Sequence, residues 1–191
     1  MNYNEHYELF KKLNEKVKGL NKYGKILNIP VYGNSCMTLL HDKEFDSDHI
    51  DASVEWNSIE KDDEVLNIIN EIAEENGIDE KWMNIDNPDL GLVEPSMGFI
   101  RILDEFEYLN IYCLDKRSFL AYKLRLGRIQ DENEVNIIKT LLKDINIDYH
   151  DYIKELLERY YDYRMLPEDL DAGINKICNK LEDTTEVMFK W

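Results

Sequence analysis

Along the first twenty residues apolar side chains return every three or four positions. Tyr7, Phe10, Leu13, Val17 and Leu20 recur with Lys and Glu between them, which predicts a helix over Asn4 to Leu20 that ends in Asn21 to Lys25, with Gly24. The pattern then changes. Ile26 to Tyr32 is an extended apolar run, and Pro30 inside it points to an edge position or to a strand starting after it. Ser35 to Leu40 has room for one or two helical turns, and His41 to Phe45 is a polar link. Ile50 to Trp56 alternates strictly. Ile50, Ala52, Val54 and Trp56 fall on one face and Asp51, Ser53 and Glu55 on the other, the pattern of a half-buried strand. Lys61 to Asn76 returns to helical spacing, with Val65, Ile68, Ile69 and Ile72 inward and Gly77 closing it.

The second half repeats the contrast between short strands and long helices. Ile78 to Asn84 reads as a loop that docks Trp82, and Asp86 to Ser96 as a further loop with Pro88, Gly91 and Pro95. Gly98 to Leu103 and Tyr108 to Leu114 read as two strands joined around Asp104-Glu105-Phe106-Glu107. Arg117 to Gly127, Glu132 to Leu142, Tyr149 to Arg164 and Pro167 to Leu181 read as helices, and Glu182 to Trp191 as a fraying tail. The order implies an α+β fold: a small mixed sheet flanked by helices over residues 1–115, and a C-terminal helical region over 116–191 packed on that core.

Composition narrows the class. The 191 residues are 43% apolar, enough for a real core, and carry a net charge of −17. That balance argues against general DNA binding. Cys36, Cys113 and Cys178 are widely spaced and odd in number, which reads as buried thiols in a reducing compartment. Met1 to Lys25 is charged throughout and lacks the apolar centre of a signal peptide, and no run approaches the ~20 apolar residues of a membrane helix. A cytoplasmic protein is the expectation. His6, His41 and His150 have no spaced partner that makes a metal site.

The densest chemistry lies at Gly33-Asn34-Ser35 and at Asp46-Ser47-Asp48-His49-Ile50-Asp51. A glycine after a strand lets a phosphate approach the backbone, and Ser35 with the following amides would bind its oxygens. Metal-assisted phosphoryl chemistry needs carboxylates gathered around ions about 3.5–4 Å apart. Alternation places His49 and Asp51 on one face, with Asp48 able to reach the same metal from the strand's start. A rival register uses Asp46 and Asp48. A third acid is expected from the neighbouring strand, where Asn110 stands instead and Glu105 and Glu107 are the nearby options. In so acidic a chain, Lys123 and Arg128 are candidates for triphosphate contacts, and Asp131 for the cap of the next helix. Each feature also has an ordinary reading: a strand-to-helix turn, a solvated acidic turn, and ion pairs on a helix.

Gly33-Asn34-Ser35, a linker and then His49-Ile50-Asp51-Ala52 resembles the signature of the DNA polymerase β-like nucleotidyltransferase superfamily. Ile72 to Ile78 with Lys81-Trp82-Met83-Asn84, and Phe119 to Arg128 with Asp131, are similar to segments of a bacterial subfamily of uncharacterised nucleotidyltransferase-like proteins related to the AbiEii-type toxins of toxin–antitoxin systems. The resemblance implies a mixed sheet, an NTP substrate and Mg²⁺ (or Mn²⁺). It implies metal-holding and catalytic roles for Asp51, Asp48 and His49, and nucleotide contacts from Gly33, Asn34, Ser35, Lys123 and Arg128. The acceptor would be a tRNA-like end, a protein or a small molecule. Two departures stand out: His49 occupies the position of the first acid, and Asn34 that of a small residue. Imidazole is a poor ligand for Mg²⁺. The alternative is therefore a catalytically degenerate protein that binds a nucleotide or a protein partner.

Overall fold

A computed structural model describes residues 1–20, 26–54, 62–85, 92–128, 130–143, 149–162 and 170–188. The chain is α+β and divides into two compact units. The first comprises Met1–Leu90 and Gly98–Asp115, the second Gly91–Met97 and Lys116–Trp191. Among the described residues no helix is long and apolar enough to cross a membrane.

The first unit holds α1 (Tyr3–Val17), β1 (Leu27–Tyr32), a π-helical turn (Met37–His41), β2 (Ile50–Ala52), α2 (Asp62–Asn76), β3 (Met83–Asn84), β4 (Phe99–Ile102) and β5 (Leu109–Leu114). The strands form one mixed sheet in the order β3-β2-β1-β5-β4. β1 runs parallel to β5 in the register Leu27↔Leu109, Ile29↔Ile111 and Val31↔Cys113. Those six side chains are fully buried, so period-two alternation lays down one continuous apolar layer. On the opposite face Asn28 and Asn110 pair, Asn110 Nδ2 donating to Asn28 Oδ1 at 2.9 Å. α1 packs on α2, burying Phe10, Leu13 and Val17 on one helix and Val65, Ile69 and Ile72 on the other.

Three sequence expectations change here. Pro30 lies in the central strand, not at an edge. The sheet tolerates it because β2 pairs only with Val31 and Tyr32. Pro30 O accepts the Ser53 N–H at 2.9 Å, and with no N–H to return the ladder stops there. That is also why β2 ends at Ala52 and not at Trp56; Val54 is outside any strand, and Glu55 and Trp56 lie outside the described residues. Finally, the expected loop over 78–84 contains a strand. Asp79 caps a 3₁₀ turn at the Lys81 N–H (2.8 Å), Trp82 is buried with Nε1 donating to Ile69 O (3.0 Å), and β3 then pairs in parallel with β2.

His6 ties α1 to the link that precedes β2. Its ring is fully buried, with Nε2 3.1 Å from Ser47 Oγ. Burial, reinforced by the N-terminal ammonium and opposed by Glu5, lowers its pKa to about 4. The unfolded chain therefore binds more protons than the folded one between the ordinary histidine value and about 4. Stability should fall as pH drops through that window. The urea midpoint, followed against pH, should show the loss in wild type and a flatter profile in His6→Gln.

The second unit holds α3 (Lys116–Leu126), α4 (Glu132–Leu142), α5 (Tyr149–Tyr160) and α6 (Leu170–Met188), the last running past the Leu181 boundary expected from periodicity. α3 packs on α4 and α5, and α5 on α6. Tyr161 is buried and its hydroxyl donates to Leu92 O at 2.9 Å, which ties residues 92–97 to the helices. Asp131 caps α4, its carboxylate accepting the Asn133 N–H at 2.8 Å. Asp131→Ala should cost about 1 kcal/mol and lower Tm by roughly 2–4 °C in a chain of this length, read by thermal unfolding.

Candidate functional site

The corner is built from three strands of the first unit. β1 ends at Tyr32, and Gly33 takes φ +61, the left-handed region that favours glycine. A tight turn follows, with Cys36 N–H donating to Gly33 O (3.2 Å) and Met37 N–H to Asn34 O (3.0 Å). Antiparallel pairing sets Asp51 opposite Tyr32, and parallel pairing sets Asn84 beside Asp51. Strand periodicity thereby carries the Asp51 carboxylate across the α-carbon of Gly33. A β-carbon at Gly33 would meet it, with Asp51 Cγ only 3.1 Å away.

Asp51 is the pivot. Its side chain is 12% exposed, and Oδ1 lies 3.1 Å from Asn84 Nδ2 and 3.2 Å from His49 Nε2. His49 is 45% exposed, so the ring roofs a nearly enclosed carboxylate. Tyr32, the register partner of Asp51, has its hydroxyl hydrogen-bonded with Ser53 Oγ at 3.0 Å.

Of the residues singled out from the sequence, Gly33, His49 and Asp51 meet here. Ser35 is fully buried, and its hydroxyl donates back to Tyr32 O at 2.9 Å. Asn34 is half-buried in the turn, and Asp48 is exposed ahead of β2. In the rival register Asp46 is exposed while the residue between the two acids, Ser47, is buried against His6 and Met1. Asn110 pairs with Asn28. Glu105 and Glu107 are exposed. Lys123 and Arg128 belong to the helical unit. There Lys123 is buried and donates to both Glu134 oxygens at 3.0 Å, while Arg128 is exposed. Asn84 had no role assigned from the sequence, although it ends the Lys81-Trp82-Met83-Asn84 segment; a two-residue strand is too short for alternation to reveal which way it points.

The donor set does not fit Mg²⁺. That ion demands near-octahedral oxygen coordination, usually with one or two carboxylates and several waters. Here the single enclosed carboxylate has Oδ1 directed at an amide and an imidazole, and a cation on that oxygen would have to displace both. Among the described residues no three His, Cys, Asp or Glu side chains gather as a metal-holding group. What the arrangement does supply is an acidic corner whose exposed edge is an imidazole. No protein-family model matches the chain, and neither curated proteins nor solved structures give a match.

Proposed function

We propose that this chain is a nucleotidyltransferase-like domain that has given up transfer and binds a protein partner. The observation that carries the reading is the engagement of Asp51: the carboxylate that would hold a metal is taken up by His49 and Asn84 and packed on Gly33. Without a bound cation that carboxylate repels a triphosphate. Ser35 and Lys123, expected to face phosphates, have hydrogen-bond partners inside their own units. A surface with Asp46, Asp48 and His49 exposed, in a chain of net charge −17, suits a basic partner. The resemblance to a subfamily related to AbiEii-type toxins extends the reading to a component of a toxin–antitoxin or defence system.

The test is a titration with a non-hydrolysable NTP in Mg²⁺, in Mn²⁺ and in chelator, run beside an assay for label transfer from NTP to tRNA and protein acceptors. The expected result is no transfer and no metal-dependent binding, in wild type and in Asp51→Asn alike. Metal-dependent transfer that Asp51→Asn abolishes would restore the reading as an Mg²⁺- or Mn²⁺-dependent nucleotidyltransferase.

A further inference from the structure

The helical unit contains an open pocket of about 420 Å³ lined by Lys139, Thr140 and Leu142 of α4, Lys143 at its C-cap, Tyr149 of α5 and Leu181 of α6. Its size is that of a small-ligand site, for which the usual range is about 300–1,000 Å³. Its charge runs against the rest of the molecule. In a chain carrying 40 acidic and 23 basic residues, two lysines one helical turn apart line the cavity, and Lys180 of α6 acts on Lys139. Like charges at that spacing destabilise a helix. The Lys139 ammonium is enclosed and has no hydrogen-bond partner among the described residues. Burial and the nearby Lys180 both push its pKa down, so the folded state disfavours its proton.

A covered donor with no acceptor among the described residues, repelled by Lys180, marks the place of an anion. We propose that this cavity binds a small phosphate compound through Lys139 and Lys143, with Tyr149 at its rim. Phosphate is favoured over a carboxylate because it brings up to two charges and more acceptor oxygens to a cluster of cations. Leu142 and Leu181 supply apolar wall beside the two lysines. The inference is independent of the corner at Asp51: it concerns a different unit and needs no metal.

The experiment is calorimetric titration of the full chain with inorganic pyrophosphate, inorganic phosphate and ATP, in chelator and at matched ionic strength. Saturable binding of at least one is expected. Lys139→Met should weaken it by about ten- to a hundredfold, the loss of one charge-assisted hydrogen bond, and Lys139→Arg should retain most of it. Lys143→Met should weaken it less, and Lys11→Met on α1 should change nothing. Circular dichroism of Lys139→Met should remain native, since the substitution removes a repelled charge. Preference for ATP over pyrophosphate would place a nucleoside in the cavity, and the reverse a free polyphosphate. Heats no larger than those of chloride, or affinity unchanged in Lys139→Met, would overturn the proposal.

Discussion

Glu134→Leu should destabilise the protein by about 3–5 kcal/mol, because it leaves a buried ammonium without its counter-charge. Lys123 and Glu134 have side chains only 2% and 5% exposed, and Lys123 Nζ donates to both carboxylate oxygens at 3.0 Å. The same ammonium lies 5.5 Å from the centre of the Phe119 ring. Both side chains are almost wholly removed from water, so the ion left behind carries a desolvation cost. Lys123→Met/Glu134→Leu should behave differently. Removing both charges together and keeping the volume of α3 against α4 is near neutral in comparable buried pairs. Urea denaturation of the two single variants and the double variant reads the contrast directly: large losses for each single, little for the pair. A double variant as unstable as the singles would mean that packing, not charge, carries the contact. The double variant should also leave NTP titrations unchanged, since Lys123 is spent on helix packing.

That pair shows where sequence reading ends. The long helices were legible because 3.6-residue periodicity is a local signal, and the Asp131 cap because it directly precedes its helix. Lys123 and Glu134 are eleven positions apart on different helices. No local pattern distinguishes a lysine that will meet a glutamate from one that will face solvent. β1 and β5 were legible as apolar runs, but their adjacency is a matter of topology, and Pro30 looked like an edge marker. Its tolerance depends on where β2 stops, which nothing within β1 encodes. At the corner, the shared face of His49 and Asp51 follows from period two and is met in the structure by a 3.2 Å contact. The inward turn of the Ser35 hydroxyl and the approach of Asn84 depend on the turn geometry and on a two-residue strand, and both were invisible from spacing. The enclosed ammonium of Lys139 belongs to the same class: it arises from α4 and α6 coming together.

Gly33→Ala should cost about 2–5 kcal/mol, from two separable sources. At φ +61 an L side chain meets the following carbonyl, worth roughly 1–2 kcal/mol. The new β-carbon would also meet the Asp51 carboxylate, with Cγ 3.1 Å away, an overpacking cost of about 1–3 kcal/mol. Gly33→Asn separates the two: asparagine tolerates the left-handed region, so the backbone part shrinks while the steric part persists. Asp51→Ala removes the steric part from the other side. In a double-mutant cycle Gly33→Ala and Asp51→Ala should therefore be coupled by about 1–3 kcal/mol, the double variant being more stable than the sum of the singles requires. Urea midpoints of the four proteins measure it. The coupling also bears on function. A glycine kept bare so that a phosphate can approach its backbone leaves that space to the ligand, and Asp51 and Gly33 then vary independently. Strong coupling means that the space belongs to the carboxylate, and that the turn after β1 is shaped to seat Asp51 beside His49 and Asn84, with no room there for an incoming phosphate.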